Sequence, residues 1–380
     1  MLHGTGKPTN QASKSDHLLS CGLGGMPAHA HTVYPIEHKA IDYSKNCNEP
    51  HTQVTTPIDT KKLAMLLGGF PQKDYIIDGF TNGFQIHFNG PEVAVQSRNS
   101  KSALENPAAV DEKLTEEIKA GRIKGPFSKP PLNNFKSSPL SLREKSTPGT
   151  FRLLHNLSAP YDERAVNTNI PGEHTTVKYA RLQDAISMIQ EVGPGAYLSK
   201  ADIKSAFRIV PLHRDFHHLM GFCWRGKYYF DTCLAMGLAE SCRIFELISD
   251  CLVYILKNEF GIERAVKILD DFLFIDPDKA LNAFALKAFT TIATECGFPI
   301  AWDKTSDEPS QQIVFYGAEL NTNSMQVALP MDKLQSYTTL VKGAIEKKSI
   351  TLRELQYPAS TQQTQNLIGM SGLRQTQEKI

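Results

Sequence analysis

Two adjacent carboxylates, Asp270 and Asp271, stand inside the apolar run Ile268-Leu269-Asp270-Asp271-Phe272-Leu273-Phe274-Ile275. A carboxylate taken out of water loses its hydration, so such a pair needs metals or partners to offset the cost. A third acid, Asp202, ends the stretch YLSKAD. It lies 68 positions before Asp270 (270 − 202), so neighbouring strands of one sheet, and not local sequence, would have to join them. Together the three acids offer hard oxygen ligands to two Mg²⁺ ions about 3.5 to 4 Å apart. One ion would activate an attacking hydroxyl, and the other would hold a triphosphate and stabilise its leaving oxygen. The protein's task would be positioning and charge stabilisation. A charged hairpin turn is the plainer reading of the pair alone.

The elements that must position these acids are legible from periodicity. AVDEKLTEEIKAG (109–121) predicts a helix with early acids, a late Lys119 and Gly121 as its stop. GPFSKPPLNNFKSSPLSL has too many prolines for a helix or a central strand and predicts an extended arm. FRLLHNLS (151–158) predicts a strand. TTVKYARLQDAISMIQEVGPG predicts a helix that starts on hydroxyl residues and ends near Gly193. AYLSKADIKSAFRIVPL predicts a strand turning around Asp202, and GFCWRGKYYFDTCLAMG a hairpin with its turn near Arg225-Gly226. Long apolar faces predict helices over LAESCRIFELISDCLVYILKNEFG and ALNAFALKAFTTIATECG, with a further strand in IVFYGAEL and a helix after Pro330. Residues 62 to 90 predict a small helix followed by strands or turns. The order implies an α+β fold, with helices on one face of a mainly antiparallel sheet.

The 380 residues are 41% hydrophobic and 21% charged, as in a globular protein with polar tails. No apolar run reaches the length of a membrane span, and the N-terminus lacks a signal-peptide core. The expectation is no membrane and no secretion. Seven cysteines without a CxxC pair argue against a disulfide scaffold or structural zinc, and for a reduced cytoplasmic or nuclear setting. Net charge is only +1, but Lys119, Arg122, Lys124, Lys129, Lys136, Arg143, Lys145 and Arg152 follow one another with Glu144 as the sole acid among them. Such a run is either a solvated face or a phosphate-tracking groove.

In combination these segments resemble the reverse transcriptases of retrotransposons, particularly the DIRS-like group. The resemblance is carried, in the family's order over about residues 54 to 356, by GRIKGPFSKPPLNNFKSSPLSL, FRLLHNLSAPYDERAVNTNIP, SKADIKSAFRIVPLHRDFHHLMGF, LAMGLAESCRIFELIS, ILDDFLFI, GFPIAWDKT and IVFYGAEL. It implies a right-hand polymerase fold with an antiparallel palm sheet backed by helices, plus fingers and a partial thumb. The corresponding segments are a disordered tail (1–52), a leader (53–100), fingers (101–180), palm (181–325) and a partial thumb ending in an aberrant C-terminus (326–380). The resemblance further implies RNA-directed DNA polymerase activity with two Mg²⁺ ions, Mn²⁺ as a substitute, and an RNA template, DNA primer or RNA–DNA hybrid and dNTP as partners.

The roles implied are metal binding by Asp202 and Asp270, supported by Asp271, with the Ile203 carbonyl facing a metal. Phe207 matches a steric gate against the 2′-hydroxyl, with a core phenylalanine as the plainer reading. Lys145 and Arg152 match fingers positions that meet the triphosphate. Met236 and Gly237 match the floor beneath template or nucleotide, and Lys304 the lysine near the phosphates. A catalytically inactive nucleic-acid-binding remnant is the alternative. The chain departs from the family at Asn156, at Lys267-Ile268-Leu269 before the acid pair, and at LAMG in place of LPMG. After LRELQ it runs into YPASTQQTQN, so a thumb cut short is expected.

Overall fold

The strand that carries Asp271 is covered on both faces, which explains its unbroken apolar run. In the computed structural model, residues 54–145 and 149–347 are described. The tail expected over 1–52 and the polar tract after LRELQ lie outside them.

Two helices open the described chain, α1 (Thr60–Leu66) and α2 (Lys73–Asn82). Asp59 caps the first by accepting from the Lys61 and Lys62 amides at 3.0 Å. After β1 (Val95–Gln96) come α3 (Lys101–Glu105) and α4 (Pro107–Lys119). The second of these has proline in its first turn, Lys119 in its last, and Gly121 just beyond at φ 74°. Next are β2 (Ile123–Phe127), β3 (Lys136–Ser137), β4 (Leu140–Glu144) and β5 (Phe151–His155). The one-turn α5 (Gly172–Thr175) precedes α6 (Leu182–Val192) and β6 (Tyr197–Asp202). The 3₁₀ turn Ala206–Ile209 leads on to the hairpin β7 (Gly221–Trp224) and β8 (Lys227–Asp231). Its turn residues Arg225 and Gly226 have φ 49° and 72°, the pair of positive values that a tight two-residue hairpin needs. The 20-residue α7 (Ser241–Phe260) stops at Gly261, and β9 (Ala265–Ile268), β10 (Asp271–Asp276) and α8 (Lys279–Glu295) follow. The strands β11 (Gln312–Phe315), β12 (Ala318–Asn321) and β13 (Gln326–Ala328) precede α9 (Met331–Glu346). Among the described residues no helix is long and apolar enough to cross a membrane.

The antiparallel sheet β6-β10-β9 forms the centre. Ala201, Phe272 and Phe274 point to a core shared with α7 and α8. Leu198, Leu273 and Ile275 point the other way, to α6 and to Phe315, Ala318 and Leu320 of the β11-β12-β13 sheet. Helices therefore cover both faces and not one, and both side-chain sets of β10 are apolar for that reason.

Three other expectations are corrected. The helix expected to begin at Thr175 begins at Leu182, where the Asp184 carboxylate accepts from the Arg181 amide at 2.6 Å. IVFYGAEL is a hairpin rather than one strand, turning at Tyr316-Gly317 with φ 47° and 77°. The proline-rich arm holds β3, a strand inside the mixed sheet β1-β3-β7-β8-β2, the start of β4, and the end of β2, which lies at that sheet's edge with a register shift across Gly125-Pro126. A residue without an N–H is tolerated there.

Part-buried His217 donates from Nε2 to the Leu212 carbonyl at 3.0 Å. Burial pushes its pKa down from 6.5 to about 4. The unfolded chain then takes up a proton that the folded one refuses. Stability is expected to fall as pH drops below 6.5, by up to about 3 kcal/mol near pH 4. Glutamine at 217 keeps a donor without the titration, so urea melts of His217→Gln between pH 7 and 4 should show a shallower slope.

Candidate active site

Strand pairing brings the distant acids together. β6 and β10 run antiparallel with Asp202 opposite Asp271. β9 and β10 close at the pair Ile268–Asp271, so Leu269 and Asp270 form the tip of a two-residue turn. Leu269 has φ 54°, a value that glycine adopts far more readily. The Asp270 carbonyl accepts from the Ile203 amide at 3.0 Å, which ties the turn to the chain just beyond β6.

The cluster is rich in uncompensated negative charge. Asp202 is 4% exposed; its Oδ2 accepts from Lys304 Nζ at 2.8 Å, while its buried Oδ1 has no hydrogen-bond partner. Burial, and then the neighbouring Asp202, raise the pKa of Asp270. Burial, and then Asp270, push Asp271 up to about 7. Burial opposes the Lys304 charge, but the Asp202 hydrogen bond and the charges of Asp202, Asp270 and Asp271 together outweigh it, leaving its pKa raised. Lys304 and Arg152 both act on Asp270 in the opposite sense to its acidic neighbour. An all-oxygen donor set with an orphaned buried oxygen and more acids than close cations fits a hard divalent ion. Asp202, Asp270 and Asp271 supply that chemistry, although among the described residues their ligating atoms do not all lie within 4.8 Å of one another.

No protein-family model matches the chain. Over 239 residues it is 24% identical to the Gag-Pol polyprotein of walleye dermal sarcoma virus, covering 62% of this chain and 12% of that one. Among solved structures it is similar to a foamy viral protease–reverse transcriptase in complex with double-stranded DNA. The TM-score is 0.52 at 20% identity, over 72% of this chain and 42% of that one. A foamy viral protease–reverse transcriptase in complex with an RNA/DNA hybrid gives a TM-score of 0.53 at 18% identity, over 81% and 38%. The chain has a reverse-transcriptase-like fold. It spans less than half the length of these first relatives.

Within this reverse-transcriptase-like fold the other predicted residues divide. Phe207 meets Phe245 of α7 in a T-shaped contact, ring centroids 5.9 Å apart, and keeps part of its surface open. Ile203 is fully buried. Arg152 is exposed on β5, opposite Arg143 of β4, and Lys145 is exposed just past β4. The basic run is not one groove: Lys136 is 1% exposed, donates to the Arg164 carbonyl at 3.1 Å and lies over the Phe88 ring. Arg122 is paired with Glu117 at 2.7 Å.

The Met236-Gly237 segment is pinned from two sides. The Met236 carbonyl accepts from the His155 amide at 3.1 Å, and the Gly237 carbonyl from Asn167 Nδ2 at 2.7 Å. At Gly237 φ is 124°, and a Cβ would stand 2.1 Å from the His155 carbonyl oxygen. The close approach that glycine permits here is to the end of β5. Gly237→Ala is expected to cost about 2–3 kcal/mol, because clash and forbidden backbone act together. Chemical denaturation of the purified variant measures it.

Two clusters escaped the sequence reading. Arg208 joins Asp231 at 2.6 Å and Glu117 at 2.8 Å, and His155 Nδ1 lies 3.1 Å from the other Asp231 oxygen. These partners are 23 to 91 positions from Arg208, and only the oddity of an arginine in the apolar AFRIV hints at them. His87, His174 and Glu240 bring three ligating atoms within 4.8 Å of one another, a group that could hold a metal ion. As it stands Glu240 is engaged by His87 Nδ1 and Arg243, both at 2.7 Å, and the two rings lie face to face at 3.4 Å. An ion shared by both rings would have to lie in the plane of each, so this arrangement serves first as a polar tie between the segment after α2, α5 and the start of α7.

Proposed function

We propose that the chain carries the polymerase core of an RNA-directed DNA polymerase, adding dNTP to a primer 3′-hydroxyl. The observation that carries this reading is the register of β6 and β10, which sets Asp202 against Asp271 beside the Asp270 turn. The reverse-transcriptase-like fold supports it, and the order of motifs over about residues 54 to 356 supports a retrotransposon source of the DIRS-like kind.

On this reading residues 101–180 act as fingers, 181–325 as palm and 326–380 as the start of a thumb. Mg²⁺ held by Asp202, Asp270 and Asp271, with Mn²⁺ as a substitute, would supply Lewis-acid activation of the hydroxyl and charge neutralisation on the phosphates. The chain's own residues do the rest. Lys304 holds Asp202 in place and stands ready to meet phosphate charge as it develops. Arg152 and Lys145 offer donors to the triphosphate. The Ile203 carbonyl would face a metal, and Met236-Gly237 would line the floor. Phe207, wedged on Phe245, limits the room for a 2′-hydroxyl by exclusion. RNA template, DNA primer or their hybrid would be held by sugar–phosphate contacts, as a sequence-tolerant enzyme requires. The work would be done in the cytoplasm or nucleus, where those partners are found.

The test is Mg²⁺-dependent dNTP incorporation on a primed RNA template, by wild type and by Asp202→Asn and Asp270→Asn proteins. Extension by wild type alone establishes the polymerase. A folded wild type that binds the primed template and fails to extend it is instead a nucleic-acid-binding remnant.

A further inference from the structure

The turn that presents Asp270 is held from behind by α7. The Leu269 amide donates to Glu246 Oε2 at 2.9 Å, and the Leu269 carbonyl accepts from Ser249 Oγ at 2.6 Å. Ser249 also approaches the Phe245 carbonyl at 3.1 Å, but one hydroxyl proton serves the shorter contact best. Both backbone polar groups of the positive-φ residue are thus taken by side chains three positions apart on one helix face. Glu246 is itself fixed: its Oε1 meets Lys267 Nζ at 2.7 Å, and Lys267 also reaches Asp250 at 2.8 Å and the Glu246 carbonyl at 2.8 Å. Ser249 is fully buried and Glu246 is 7% exposed, so neither is a surface contact. The lysine that departs from the family pattern has a place here, since it balances the buried Glu246.

We propose that Glu246 and Ser249 are positioning residues that hold Leu269 in its left-handed conformation and thereby aim the Asp270 carboxylate at the metal position. The inference rests on Asp270 being a metal ligand, as argued above. Without the two side chains the turn relaxes toward ordinary backbone angles, and Asp270 leaves the line that Asp202 and Asp271 define.

Ser249→Ala is the leading variant, because it removes one hydroxyl and strands no charge. Glu246→Gln keeps an acceptor for the Leu269 amide, whereas Glu246→Ala does not. Three readouts apply: hydrogen–deuterium exchange at the 269–270 amides, Mn²⁺ binding followed by electron paramagnetic resonance, and kcat separated from the KM for dNTP. In Ser249→Ala and Glu246→Ala the amides should exchange faster, and Mn²⁺ affinity and kcat should fall about 10- to 100-fold, as for other groups that orient metal ligands. KM should change little. Wild-type exchange, Mn²⁺ binding and kcat in Ser249→Ala would overturn the proposal. Asp270→Asn separates the two levels. If it loses Mn²⁺ binding while Ser249→Ala and Glu246→Ala keep it, only the positioning role fails. If it binds Mn²⁺ like wild type, Asp270 is no ligand and both readings fail.

Discussion

Asp270→Asn is expected to abolish Mg²⁺-dependent primer extension, by about 10³-fold or more, equivalent to at least ~4 kcal/mol of transition-state stabilisation. The same protein, stripped of divalent ions and melted at pH 8, should be more stable than wild type. The two signs have one cause. Burial and the Asp202 charge raise the pKa of Asp270, so holding it ionised without a counter-charge works against folding. Asparagine has nearly the same shape and removes that repulsion, together with the oxygen charge a metal needs. A variant that loses extension and also melts lower would point to a structural lesion and not to a missing ligand.

Arg208→Met should be the most destabilising change outside the acid cluster, at about 3–5 kcal/mol. Burial opposes the Arg208 charge, yet Asp231 and Glu117 hold its pKa above the ordinary value. Burial likewise opposes the Asp231 charge, and Arg208, then His155, hold its pKa down. Methionine fills most of the arginine volume and leaves a fully buried Asp231 facing only His155. The cost is then the penalty of the stranded carboxylate, more than the worth of the pair. Arg208→Met combined with Asp231→Leu removes both charges and should recover part of the loss. Urea titration of the two single variants and the double variant gives the coupling energy, expected to exceed about 1 kcal/mol for groups in direct contact.

The acids were legible because chemistry and periodicity agree: a carboxylate pair within ILDDFLFI needs an explanation that no surface strand requires. The Arg225-Gly226 turn and the two long helices α7 and α8 were legible for local reasons, namely turn residues and apolar faces. What stayed hidden depends on distance along the chain. Nothing near Arg208 announces Glu117, and nothing near Glu246 announces the Leu269 amide. The basic run from Lys119 to Arg152 misled for the complementary reason, since charge type says nothing about burial. Lys136 and Lys145 are the same residue type, yet the first is buried over the Phe88 ring and the second faces solvent. An apolar run such as that of β10 does not say what covers each face; only the opposed directions of Leu273 and Phe274 show that α6 guards the face away from α7 and α8.

The strand order β1-β3-β7-β8-β2 has a consequence for how the chain is made. β2 and β3 are close in sequence, but they do not pair with each other; the β7–β8 hairpin stands between them. As the chain leaves the ribosome, both wait with open edges while β4, β5, α6 and β6 are produced. Only when Asp231 has emerged can the hairpin slot in and satisfy both neighbours at once. Until then the nascent N-terminal half offers unpaired strands to any other chain nearby.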